Sequence, residues 1–225
     1  MSDTMTHLSQ QKAPVGQSRG QATRVDILQV ARQLFSEHGY HKTGIADIQE
    51  ATGLTKGAFY HHFRSKEDLA LAILDQTRQE YADQLIAPAM QQAGPAERLE
   101  ALLDGAVELN SRPEWCNCQM MATLGAELTP ADGRLRETVQ GIYGDLQDRC
   151  QELLTEAHQT GQASDRIDPE TGAQWIANTL TGLCLARKLG AARVPARSLI
   201  DAMKRTLLKR PVKGKVQTSG NGASK

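Results

Sequence analysis

The chain runs to 225 residues, room for one large domain or for a small and a medium one, each with its own core. Its 26 basic and 26 acidic residues cancel, which excludes a uniformly basic coat as the means of meeting a polyanion. No run approaches the ~20 apolar residues that span a bilayer, and no secretory leader opens the chain, so a cytoplasmic protein without a membrane partner is expected.

Ala, Leu, Gln, Glu and Arg recur without sustained apolar and polar alternation, which predicts an all-α fold. Residues 1–20 read as a flexible arm carrying Lys12 and Arg19. Thr23 and Asp26 have the spacing of a helix-opening cap, and Ile27, Leu28, Ala31, Leu34 and Phe35 follow at helical intervals up to Gly39. Thr43 is expected to cap a second helix whose inner face carries Ile45, Ile48 and Ala51. Gly53 supplies a left-handed turn, Leu54 plugs the corner, and Thr55 caps a third helix ending near Phe63. Residues 65–68 open a fourth helix reaching toward Ile86. Past the Gly94-Pro95 turn, helices are expected at about 96–110 and 115–128, and a long one follows Thr129-Pro130 and closes at Gly161. Another runs from Asp168-Pro169 to Gly190, and a last one spans about 196–209. Residues 211–225 read as a disordered basic tail.

Charge is unevenly placed along this string. Between positions 42 and 66, Lys42, Lys56, Arg64 and Lys66 face only Asp47 and Glu50. Local charge is what a polyanion senses, because the Debye length in cells is only about 8 Å.

A helix, a glycine turn and a helix make common scaffolding, yet the residue order here suits a DNA major groove. Thr43 and the free N–H groups at its helix start offer a phosphate site. Thr55, Lys56 and Gly57 open the third helix: Gly57 lets backbone come close, and Lys56 brings charge to phosphate or guanine. Tyr60, His61 and His62 lie one turn further on, and Lys66 starts the fourth helix beside a favourable dipole. Phe59 and Phe63, four apart, should be core. His61 and His62 lack a third ligand at metal-binding spacing, so no metal and no cofactor is expected.

The run Thr55-Lys-Gly-Ala-Phe-Tyr-His-His-Phe-Arg-Ser-Lys-Glu-Asp-Leu69 resembles the DNA-binding region of the TetR/AcrR family of bacterial transcriptional regulators. The resemblance is strong over about 21–81 and continues beyond as a compatible helical pattern. It implies a homodimer on double-stranded operator DNA, with a helix-turn-helix domain at 21–81 and a larger helical effector-binding and dimerisation domain at 82–210. It also implies that Tyr60 contacts phosphate and that His61 and His62 contact base or backbone.

The centre of the chain is where a signal would enter. Trp115, Met120, Met121 and Trp175 are candidates for lining an effector pocket, although such a stripe at helical spacing also describes a core. Four cysteines without a secretion signal read as reduced thiols rather than a disulfide framework. Cys116 and Cys118, two apart on a helix, point ~200° from each other and form neither a mutual disulfide nor a chelate. Residues 118–127 resemble a subgroup of the family with the pattern Gly-Cys-Leu-x-x-x-Leu-x-x-Glu, in which a cysteine and a distant lysine sense electrophiles, oxidants or unsaturated acids. Aligning Leu124 and Glu127 puts Gln119 at the cysteine position and Cys118 one residue before it, while Lys188 matches the lysine. Independently, Cys184 and Lys188 are i, i+4, a spacing that brings a thiol beside an ammonium.

Three functions follow from these readings. The first is a repressor released by a small-molecule effector, its dimer built on the last two helices through Trp175, Ile176, Leu180 and Leu183 with Leu199, Ile200, Met203 and Leu207. The alternative is a thiol sensor using Cys118 or Cys184 with Lys188. A helical enzyme is the remote third, with no nucleophile–base constellation, metal motif or phosphate loop behind it.

Overall fold

The computed structural model describes residues 19–112 and 117–209. Its helices are α1 (Arg19–His38), α2 (Ile45–Thr52), α3 (Lys56–His62), α4 (Lys66–Tyr81), α5 (Ala87–Met90), α6 (Pro95–Ser111), α7 (Asn117–Glu127), α8 (Gly133–Gln159), α9 (Pro169–Lys188) and α10 (Ala196–Leu207). A π-helical turn, Ala82–Ile86, follows α4, and a 3-10 turn, Pro130–Asp132, precedes α8. The protein is all-α, as its periodicity predicts. Among the described residues no helix is long and apolar enough to cross a membrane.

Most helix ends lie where the capping chemistry puts them. Thr55, Ser65, Thr129 and Asp168 each accept a backbone N–H in the first turn of the element they precede. Gly53, Gly161 and Gly190 take positive φ angles at helix ends. Three local expectations are corrected. First, α1 already includes Arg19, ahead of the Thr23 and Asp26 pair, and Arg24 lies over the Phe63 ring at 5.0 Å within this early part. Second, Gly44 rather than Thr43 caps α2, and the Asp47 carboxylate accepts the Gly44 N–H at 2.7 Å. Third, Ala51 is exposed, leaving Ile48 as the buried anchor of α2.

The helices form two compact units. One runs to Ala82 and takes in Asn110–Tyr143; the other comprises Asp83–Leu109 and the chain from Gly144 onward. In the first, α1 contributes Ile27, Leu28, Ala31 and Phe35 to a core shared with Ile48, Phe59, Phe63, Leu69, Ile73 and Leu74. Met120, Met121 and Leu124 of α7, and Leu135, Val139 and Ile142 of α8, belong to the same cluster. In the second unit, Leu99, Leu102 and Leu103 of α6 are buried, as are Leu153, Leu154, Ile176, Ile200 and Met203. Asp104 of α6 pairs there with both Arg197 and Lys204 of α10.

Candidate nucleic-acid interface

A seven-residue helix is too short to hold itself together in water, so α3 owes its order to its cap and its neighbours. Thr55 Oγ1 accepts the Ala58 N–H at 3.3 Å, and Phe63 closes the helix through its N–H to the Phe59 carbonyl at 3.1 Å. Phe59 and Phe63, both buried, pin one side to the core with ring centroids 6.2 Å apart. The other side carries the residues singled out from the sequence. Thr55, Lys56, Gly57, Tyr60 and His61 are exposed, Tyr60 at 44%, and His62 is half-buried with its ring 5.2 Å from that of His61. Among the described residues no group of three His, Cys, Asp or Glu is placed to hold a metal.

Gly57 lies in the first turn of α3, on its exposed side. A Cβ built there meets nothing within 4 Å, and its backbone is ordinary helix. A helical glycine costs roughly 0.5–1 kcal/mol against alanine, a cost that no packing at this position among the described residues recovers.

Two of the expected phosphate contacts are committed inside the protein. Thr43 is only 2% exposed, and its hydroxyl donates to the Gly39 carbonyl at 2.7 Å. The Lys66 ammonium donates to the Tyr40 carbonyl at 2.8 Å and to that of Thr43 at 3.0 Å, and stands 4.3 Å from the Tyr40 ring centroid. Burial of this ammonium holds the Lys66 pKa below the usual lysine value, against the opposing pull of the Glu127 and Asp47 carboxylates. Lys66 is a brace across the turn between α1 and α2. The sequence reading missed Tyr40, whose buried ring receives this brace, and Glu127, whose carboxylate accepts the Tyr40 N–H at 2.8 Å. The only signal available was the match of Glu127 to a family pattern.

Trp115 falls outside the described residues. Met121 is a core residue of the first unit, packed there with Met120. Trp175 on α9 is 38% exposed. Cys118 and Cys184 are buried and each is disulfide-bonded, whereas Cys150 is a buried free thiol. This corrects the reading of reduced thiols: Cys184 is not a free thiol in this structure.

An exposed, capped recognition helix following a glycine turn, with its aromatic side pinned to a three-helix core, defines a helix-turn-helix DNA-binding protein. The description "Bacterial regulatory proteins, tetR family" matches residues 27–73, and "Tetracyclin repressor-like, C-terminal domain" matches residues 95–203. The chain belongs to the TetR family of transcriptional regulators. It is 27% identical over 199 residues to the A-factor receptor protein of Streptomyces griseus, covering 85% of this chain but only 64% of that protein's length. A TetR transcriptional regulator from Chloroflexus aurantiacus has a similar structure, with a TM-score of 0.73 and 25% identity over 84% of this chain and 98% of the other. AibR in complex with isovaleryl coenzyme A and operator DNA shares the fold, at a TM-score of 0.69 and 24% identity over 81% of this chain and 96% of that one.

Proposed function

We propose that the chain is a homodimeric repressor that reads its operator with the exposed side of α3 and leaves it when a small molecule binds the C-terminal helices. The observation that carries the reading of α3 is the joint exposure of Lys56, Gly57, Tyr60 and His61 on a capped helix pinned to the core through Phe59. Dimerisation is supported by Trp175, Leu185 and Leu199, large apolar side chains exposed on α9 and α10. Ile176, Leu180, Ile200, Met203 and Leu207, expected at that interface, are buried within the single chain. Release by a ligand has the support of a relative named as a receptor. The ligand acts only by binding the DNA-incompetent state better than the competent one.

Gly57→Ala separates fold from function. Helix propensity favours the variant, so its unfolding free energy is expected to stay level or rise by up to about 1 kcal/mol. Its affinity for an operator duplex is expected to fall, because the added methyl stands where DNA backbone comes close. Lys56→Ala should flatten the log–log salt dependence of binding by about one unit. Urea melts and salt-titrated fluorescence anisotropy measure both. Full operator affinity in Gly57→Ala would remove α3 from the interface.

A second reading, control by thiol oxidation, is favoured by the disulfide-bonded state of Cys118 and Cys184. Burial pushes the Cys150 thiol up to about 12, so it stays protonated and inert. In native protein at mildly alkaline pH, iodoacetamide is expected to label Cys118 and Cys184 only after reduction, and Cys150 only after unfolding. Peptide mapping by mass spectrometry checks this, and DNA titrations before and after reduction decide the regulatory part. Equal affinities in the two redox states dismiss the thiol reading.

A further inference from the structure

The turn between α1 and α2 is held from three sides. Its amides are taken by α7: Glu127 Oε2 accepts the N–H of Tyr40 at 2.8 Å and that of His41 at 3.3 Å. Its carbonyls are taken by α4, through the Lys66 ammonium on Tyr40 and Thr43. Its imidazole faces the 3-10 turn, with His41 Nε2 3.5 Å from Asp132 Oδ1, and Asp132 is fixed by accepting the Thr129 N–H at 2.7 Å. Glycine is required at position 39 on two counts. The φ angle there is +92°, and a Cβ would stand 1.8 Å from Glu127 Oε1, so the carboxylate lies directly over the backbone.

Closing this turn does not need α7. The Thr43 N–H and hydroxyl both reach the Gly39 carbonyl, at 3.3 and 2.7 Å, which completes the turn locally. What Glu127 adds is placement. It is the last residue of α7, a helix that packs on α1 and puts Met120, Met121 and Leu124 into the shared core. By sequence α7 lies in the C-terminal family domain, yet it sits in the contact unit of the helix-turn-helix. Two charge-assisted hydrogen bonds at its end grip the segment that leads directly into α2.

We infer that Glu127 is a positioning residue through which α7 sets the α1–α2 turn, and with it the presentation of α2 and α3 to DNA. The inference rests on the DNA-binding reading above. Because coupling is reciprocal, a clamp that lets α7 bias DNA affinity must also let DNA bias α7.

The test uses the full chain and a duplex selected from a random-sequence pool by binding to the wild type. Hydrogen exchange is followed by mass spectrometry in peptides covering residues 40–62 and 117–127, with and without saturating duplex. In wild type, DNA is expected to slow exchange in both regions. In Glu127→Ala, affinity should drop about tenfold, within the usual range of coupling energies, and DNA protection of 117–127 should vanish while that of 56–62 persists. Glu127→Gln keeps an oxygen acceptor and should restore most of the protection, even if the alanine variant folds poorly. Exchange at 117–127 that ignores DNA in wild type, or protection in Glu127→Ala equal to wild type, overturns the inference while leaving DNA binding intact. A wild type that retains no duplex from the pool overturns both together.

Discussion

Phe59→Ala is expected to cost about 3–5 kcal/mol of stability in the first unit and to abolish operator binding at ordinary temperatures. Phe59 is fully buried in a cluster that includes Ile48 of α2, Leu69 of α4 and Phe35 of α1, so truncation opens a cavity where these helices meet. Since α3 is too short to persist alone, losing its main anchor disorders the surface that carries Lys56 and Tyr60. Tyr60→Ala, one residue away on the exposed side, is the control: it should leave stability within about 0.5 kcal/mol of wild type and weaken DNA binding only. Denaturant melts and anisotropy titrations separate the two variants. A stability loss under about 1 kcal/mol for Phe59→Ala would mean that packing is not what orders α3.

Glu80→Ala should be comparably damaging for an electrostatic reason. Arg32 of α1 and Glu80 of α4 form an ion pair at 2.9 Å with side chains only 14% and 20% exposed, and Asn117 of α7 donates to the same carboxylate at 2.6 Å. Arg32 Nε and Nη2 are buried and find no acceptor among the described residues, and Glu80 is the carboxylate paired with that cation. Its removal strands a mostly buried charge, at a cost of about 3–5 kcal/mol. Replacing both partners, Arg32→Leu with Glu80→Leu, is expected to recover most of that loss because desolvation of the pair disappears with it, but to stay about 1–3 kcal/mol below wild type, since the buried Asn117 amide then loses its acceptor. A double-mutant cycle from urea melts measures the coupling, and strictly additive losses would show that the pair is not an energetic unit.

Much of the DNA-binding half was legible along the chain because its signals are local. The Thr55 and Ser65 caps, the left-handed Gly53 and the four-residue spacing of Phe59 and Phe63 each depend on neighbours within one or two turns. Spacing therefore located α3 and separated its buried side from its exposed one. Other contacts have a different origin. Thr43 and Lys66 are polar groups at the right places for phosphate, but both face backbone carbonyls supplied by the α1–α2 turn. Sequence position shows where a donor starts, not which acceptor it meets first.

Residue order alone thus determined the family, the all-α architecture and the composition of the recognition helix, since caps, turns and apolar periodicity operate over a few residues. Only the tertiary structure decided that α7 shares a core with α1, that Glu127 grips amides 86 and 87 residues away along the chain, and that Cys118 and Cys184 are oxidised. Those facts depend on which distant segments become neighbours when the apolar faces are buried together. No local propensity encodes that choice of partner.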